Sequence, residues 1–405
     1  MRTLVCLLSR QPIPNIVSVH CLCPDRLVLV ETEQAKKENL LQSLKERGLD
    51  FTDSSKHESV FVENQNSFPG ICETLRKIAE KHQDDEVYVN LTGGTKPMSM
   101  AALESFRNIA KTNKFIYVAE NEDQKIRDFF TYSVIPSAIE KHQFTVKEFA
   151  LAYGFEFQKN ITKIQEAEEI ATGRWEIARI IAKHANTTEI SFGGRDNPDD
   201  DYEVIQLLRN GKSFHDLQLG QVSIHSEEIR HALTEIDSNI RFESHNMLGK
   251  VERSLGEFLT GGWLEEFIWG LLVRKAEQLG FHDIRLGVVL SLRDKAMNND
   301  LDVAFMDGTY FTTIECKSGT QGHVTPQEIL YKLSQVSSQQ GALHAQSLLV
   351  ATSEQFFDKE RKLKESLKDR AAHYHIKLIL RDEIVALANN PDDVDFIKKT
   401  FAHKK

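Results

Sequence analysis

The sequence has little of what marks a secreted or membrane-bound protein. Its five cysteines, Cys6, Cys21, Cys23, Cys72 and Cys316, are odd in number and include no C-x-x-C pair. That leaves no obvious disulfide framework or zinc knuckle, and a cytoplasmic location is expected. One short apolar run, Leu4 to Leu8, gives way at once to Ser-Arg-Gln-Pro, and no stretch approaches membrane-spanning length, so neither a leader nor a membrane anchor is expected. A basic surplus is missing too. The net charge of −10 argues against coating nucleic acid by overall charge, so any polynucleotide must meet a local site.

What is present is an ordinary globular composition, 40% hydrophobic and 27% charged, on a chain of 405 residues, enough for two or three separate cores. In residues 1–143 short runs rich in Val, Leu, Ile, Phe or Tyr (Thr3 to Leu8, Leu27 to Glu31, Ser59 to Glu63, Glu86 to Leu91, Phe115 to Ala119) alternate with helical patterns at Gln34 to Arg47, Gly70 to His82 and Pro97 to Lys111. Such alternation predicts a parallel sheet covered by helices, with ligands outside the carboxyl ends of the strands. Two loops at such ends carry unusual chemistry. Ser9 to Asn15 is a polar, proline-stiffened segment holding Ser9, Gln11 and Asn15. Asn90 to Pro97 contains Thr92, Gly93, Gly94, Thr95 and Lys96 ahead of a helix. Paired glycines let backbone amides approach an anion, and the helix N-terminus adds partial positive charge, which suits phosphate or a nucleotide. A plain Gly-Gly turn is the alternative, and the spacing is not that of a Walker A loop.

Near the C-terminal third, two β-rich runs flank Asp307-Gly308, a strong two-residue hairpin pattern. A loop at those two residues pairs Leu301 with Ile314 and Asp302 with Thr313. Leu301, Val303, Phe305, Ile314 and Cys316 then share an apolar face, while Asp302, Glu315 and Lys317 share the other. Asp302 and Glu315 become diagonal neighbours roughly 7 to 8 Å apart, able to close around a cation. Hard oxygen ligands for Mg²⁺ or Mn²⁺ with a lysine two residues on suit phosphodiester hydrolysis, with Asp300 as a rival ligand. The plainer reading is a solvated sheet face.

Residues 144–250 read as a largely helical connector: Ile161 to Lys183 is helical, Gly193 to Asp201 an acidic loop, and amphipathic segments follow. Arg179 with His184 and Arg209 with His215 match the loose R-x4-6-H pattern of HEPN ribonucleases, a match that chance also explains in a chain with 15 histidines. In residues 251–405 an almost apolar helix, Phe258 to Leu272, carries Glu265 and Glu266, acids that need a partner there. It precedes strands at Asp283 to Leu292 and in the hairpin, a helix at Pro326 to Gln340 whose Gln327, Tyr331 and Lys332 could reach phosphate, and a strand at Ser347 to Ala351.

The motifs S-x-Q-x-x-P-N (Ser9 to Asn15) and N-L-T-G-G-T-K-P-M (Asn90 to Met98) resemble the CARF domain, the cyclic-oligoadenylate sensor of type III CRISPR immunity. With the D…E-x-K hairpin, the chain resembles the Can or Card nucleases, which join a CARF domain to a PD-(D/E)xK nuclease domain. The resemblance implies an α/β protein with a Rossmann-like sensor and a restriction-endonuclease-like domain, working as a homodimer that binds cyclic tetraadenylate and cleaves DNA or RNA with Mn²⁺ or Mg²⁺. It implies Ser9, Gln11, Asn15, Thr92, Gly93, Gly94, Thr95 and Lys96 as activator contacts. Asp302, Glu315 and the Cys316 carbonyl become metal ligands, with Lys317 catalytic and Glu265, ahead of Glu266, as the helix-borne acid. A non-catalytic CARF regulator and a metal-independent HEPN-type ribonuclease are the alternatives.

Overall fold

Leu4, Val5, Cys6 and Leu7 are wholly sealed from water, as are Leu27 to Val30, so these strands read as continuous apolar runs rather than alternating ones. That is the pattern of a parallel sheet covered on both faces. The computed structural model describes the chain except residues 34, 36, 108, 110–112, 120–124, 139–141, 159, 188, 194–197, 210–212, 294–297, 320–323, 340–343 and 404–405. The chain divides into two units, the first formed by residues 1–157 with 290–298, the second by 158–289 with 299–404.

The first unit contains β1 (Arg2–Leu7), α1 (Ile13–Leu22), β2 (Arg26–Glu31), α2 (Lys37–Glu46), β3 (His57–Phe61), α3 (Phe68–Lys81), β4 (Glu86–Asn90), α4 (Lys96–Phe106), β5 (Asn113–Val118), β6 (Ile126–Asp128) and α5 (Val146–Ala152). Strand order is β3-β2-β1-β4-β5-β6; the first five strands run parallel and β6 is antiparallel to β5. The chain builds outward from β1 to β3, then returns to lay β4 against β1's free edge. The loops after β1 and β4 therefore diverge at a switch point, where ligands of such sheets sit. Helix α1 begins inside the segment expected as loop, Ser9 to Asn15. Pro14 sits in the helix's first turn, where a missing N–H costs nothing, and all ten residues are buried, so no polar face betrays the helix.

In the second unit the strands lie in the order Lys377–Leu380, Ala345–Ala351, Tyr310–Lys317, Asn298–Asp307, Phe281–Leu292. The hairpin is antiparallel, and Tyr310–Lys317 pairs parallel with Ala345–Ala351. One sheet face, with Val303, Phe305, Ile314 and Cys316, shares a core with Leu264, Phe267, Ile268 and Leu271 of helix Trp263–Arg274. On the far side, Leu349 and Ala351 pack with Ile329, Leu330 and Leu333 of helix Pro326–Gln339. The face expected to meet water is thus partly covered.

Residues 144–250 form no connector of their own. Val146 to Phe157 belongs to the first unit and the remainder to the second. The stretch carries helices Val146–Ala152, Ile161–Gly173, Trp175–Lys183, Pro198–Arg209 and Glu227–Ile236, but also short strands that were not expected: Arg241–Glu243, Asn246–Glu252, Val222–Ile224 and Ile190–Phe192 form a sheet, with Phe214–Leu217 also paired to Asn246–Glu252. Trp175, on helix Trp175–Lys183, lies over Gly270 so closely that a Cβ there would come 2.6 Å from the indole ring. Of the expected acidic loop, residues 194–197 lie outside the described residues, and a helix begins at Pro198.

Candidate active site

The hairpin turns one residue later than the Asp-Gly pattern suggests. Val303 faces Ile314 and Asp307 faces Tyr310, which leaves Gly308 and Thr309 as the loop. Gly308 has φ of +63° and Thr309 is not in the left-handed region, so one positive φ suffices, as in a type II′ turn. The register differs by two residues, an even number, so every side chain stays on its expected face. Extending it places Asp302 directly across from Glu315 rather than diagonally.

The acids lie together. Lys317 Nζ is 2.7 Å from Glu315 Oε1 and 3.6 Å from Asp302 Oδ2, and it donates to the Cys316 carbonyl at 3.1 Å. The Cys316 amide donates to Asp302 Oδ2 at 2.6 Å. These side chains are 18%, 9% and 16% exposed for Lys317, Glu315 and Asp302, so the cluster is mostly shielded from water. Burial and the charge of Glu315 push the Asp302 carboxyl up to about 6, against the pull of Lys317. Burial opposes the charge on Lys317, but Asp302 and Glu315 outweigh it and lift its pKa above the ordinary lysine value. An ammonium thus occupies the seat formed by three oxygen-bearing groups.

Glu265 joins this cluster from the helix. Its carboxyl is raised well above the usual range by burial, then by the charge of Asp302, with Lys317 acting the other way. Its placement follows from the Gly-Gly pair: the helical path through Phe258–Gly262 is kinked at Gly261, whose φ of +156° is not helical, and helix Trp263–Arg274 starts just beyond the kink. Ser318, next to Lys317, donates to the Gly261 carbonyl at 3.2 Å and so ties the strand end to the helix start. Glu266 points elsewhere, to Arg174 at 3.5 Å, with its carboxyl pushed up to about 7 by burial. Asp300 is exposed. On the covering helix, Tyr331 is exposed, Gln327 is partly exposed, and the charge of exposed Lys332 reaches Asp302.

The HEPN-like pairs do other work. Arg179 binds Glu176 at 2.8 Å and His184 lies 3.5 Å from Glu228. Arg209 donates to Thr260 Oγ1 at 3.0 Å, and His215 is buried in the strand facing Asn246–Glu252.

In the first unit the two loops meet. Gly93 sits so close to the end of β1 that a Cβ would fall 2.3 Å from the Leu7 carbonyl oxygen, and Gly94 has φ of +74°. Asn15, on α1, is fully buried; its amide donates to the Leu7 carbonyl at 3.0 Å and accepts from Asn90 at 2.9 Å. Its side chain braces the loops from within instead of facing the crevice. Thr92 Oγ1 accepts from the Val118 amide at 2.8 Å, and Thr95 caps α4, accepting from the Met98 amide. Ser9 and Gln11 close a small turn, Gln11 Oε1 accepts from the Tyr153 hydroxyl at 3.0 Å, and Lys96 is exposed. Tyr153 was not foreseen, since nothing in the sequence links it to Gln11.

A family model described as the Card1 CARF domain matches residues 3–149, and one described as the Card1-like endonuclease domain matches residues 252–394. The chain belongs to the Card1-like CARF nucleases. Among solved structures, Can2 from Sulfobacillus thermosulfidooxidans in complex with cyclic tetra-adenylate shares 19% identity, covers 98% of this chain and 99% of its own, and has a TM-score of 0.65. Protein VC1899 from Vibrio cholerae shares 17% identity over 99% of both chains, with a TM-score of 0.70. At those identities both establish likeness of fold. No curated protein matches the chain. Among the described residues no helix is long and apolar enough to cross a membrane.

Proposed function

We propose that this Card1-like chain is a divalent-metal-dependent endonuclease of type III CRISPR defence, hydrolysing phosphodiester bonds of DNA or RNA when a cyclic oligoadenylate, cyclic tetraadenylate in particular, binds its CARF domain. The observation that carries the reading is the position of the Lys317 ammonium, 2.7 Å from Glu315, 3.1 Å from the Cys316 carbonyl and 3.6 Å from Asp302. This is a cation seat made of hard oxygens, the donor type that Mg²⁺ and Mn²⁺ prefer. The pKa values of Asp302 and of Glu265 are raised by burial first and then by the neighbouring acids, and three carboxylates around one ammonium are a donor set that fits a dication. Asp302, Glu315 and the Cys316 carbonyl would hold it, with Glu265 alongside. When bound, such an ion lowers the pKa of a water and offsets charge on the phosphoryl oxygens. Lys317, released from the acids, stabilises the attacking hydroxide or the charge of the pentavalent transition state, and Lys332 with Gln327 and Tyr331 steadies the phosphate backbone.

In the sensor the anion site is the start of α4: Gly93 and Gly94 let amides approach, and Lys96 and the hydroxyls of Thr92, Thr95 and Ser9 ring the crevice with Gln11. Can2 was solved with cyclic tetra-adenylate, which supports the same class of ligand here. A two-fold symmetric ring fits an isologous homodimer, and it activates by favouring the cleaving arrangement over the idle one. A cytoplasmic setting agrees with five free cysteines. The test is incubation of the purified chain with plasmid, single-stranded DNA and RNA, each with and without cyclic tetraadenylate and with Mn²⁺ or EDTA. Cutting that needs both activator and metal is expected. Cutting in EDTA, or binding without turnover, overturns the proposal in favour of an HEPN-type enzyme or a regulator.

A further inference from the structure

A second cluster of ligating side chains lies inside the sensor unit. His20 on α1, His142, and Glu148 on α5 are 9%, 2% and 0% exposed. One nitrogen or oxygen from each lies within 4.8 Å of the other two. Glu148 Oε1 is 2.9 Å from His142 Nε2 and 3.3 Å from His20 Nε2. Its other oxygen is turned away: Oε2 accepts from the Thr145 amide at 3.4 Å and lies 3.7 Å from Arg47 Nε. The Ser43 hydroxyl donates to the Glu148 backbone carbonyl at 3.0 Å. One carboxylate oxygen is therefore held facing two imidazoles, which is how outer partners orient a metal ligand.

The cluster is not satisfied by its own hydrogen bonds. His20 Nε2 is buried and meets Glu148 Oε1 at 3.3 Å without good hydrogen-bond geometry. A buried polar atom in that condition is costly, and a cation shared by all three donors relieves it. Two ligands each about 2.1 Å from a tetrahedral ion stand roughly 3.4 Å apart, close to the spacing seen here. The imidazoles stack with centroids 3.8 Å apart and planes at 18°, so they must fan apart slightly for both lone pairs to converge.

We propose that His20, His142 and Glu148 bind one zinc ion that pins α1 to α5 within the sensor unit. Two imidazoles and one carboxylate are a zinc donor set, whereas Mg²⁺ and Ca²⁺ seek oxygen alone. The site is distinct in donor type from the all-oxygen seat at Asp302. It also has a mechanical consequence, since α1 carries the loop-bracing Asn15 and Tyr153, just past α5, holds Gln11.

The test uses the full chain produced with zinc and dialysed against excess Mg²⁺, so that hard-oxygen sites are filled. Elemental analysis by mass spectrometry is expected to find about one zinc per chain in the unaltered protein and in Asp302→Asn, falling at least about tenfold in His20→Gln and His142→Gln. Circular dichroism checks that the histidine variants are folded. If they are not, cobalt titrated into the unaltered protein decides: visible bands of four-coordinate Co²⁺ are expected. Absence of both bound zinc and cobalt bands, or zinc content unchanged in a folded His142→Gln, overturns the proposal.

Discussion

Replacing Lys317 by alanine removes an ammonium held between two acids that are themselves mostly shielded from water. Deleting one partner of a buried ion pair costs about 3 to 5 kcal/mol, because the stranded charge remains. The lower end applies here, since Asp302 and Glu265 can escape by taking up protons, and both already have raised pKa values. At pH 8 that escape is least available. A loss of about 3 kcal/mol in a unit of this size corresponds to about 6 to 12 °C in the melting temperature. At pH 5 the deficit should shrink. Mg²⁺ or Mn²⁺ should then restore more stability to Lys317→Ala than to the unaltered chain, because the ion no longer competes with an ammonium for its seat. The variant should thus bind metal more tightly, still bind activator, and not cleave. Calorimetric melting in EDTA and along a metal titration, beside a cleavage assay, measures all of this. A variant as stable as the parent in EDTA at pH 8, or one that binds metal more weakly, refutes the reasoning.

The acid cluster also sets a pH dependence in the unaltered chain. A carboxyl whose folded pKa is raised, as for Asp302 at about 6, favours folding below its unfolded value near 4, and that contribution is lost as pH rises through 6. The metal-induced rise in melting temperature should therefore be larger at pH 8 than at pH 5, and cleavage should fall off below about pH 6; a metal shift independent of pH would contradict this. Gly93→Ala places a Cβ 2.3 Å from the Leu7 carbonyl and should abolish activator binding, read by calorimetry, while purified protein still shows the melting transition of the second unit. Gly270→Ala drives a methyl to 2.6 Å from the Trp175 ring and should destabilise the second unit by about 1 to 3 kcal/mol, measured by denaturant titration.

Some features were legible in the sequence for definite reasons. Strands β1, β2 and β4 of the sensor showed as apolar runs because both faces are covered, whereas β3 at the sheet edge is only partly covered, and the α-β-β-β-α-β order around the hairpin showed because each element is long. Asp302, Glu315 and Lys317 were placed on one face although the turn was misplaced, since alternation is unchanged by a two-residue slip. Helix α1 was hidden by its total burial. The short strands between Ile190 and Glu252 carry too few residues for a period, and they pair between residues far apart in the chain, such as Val222 with Phe192. The His20, His142 and Glu148 cluster was hidden likewise, because only the fold brings α1 and α5 together.

The most direct test of the central claim is Mn²⁺ binding followed by electron paramagnetic resonance, comparing the unaltered chain with the double variant Asp302→Asn and Glu315→Gln. A tightly bound Mn²⁺ signal that vanishes in the double variant, with the fold intact by circular dichroism, is the predicted result. Equal Mn²⁺ binding by both proteins would contradict it.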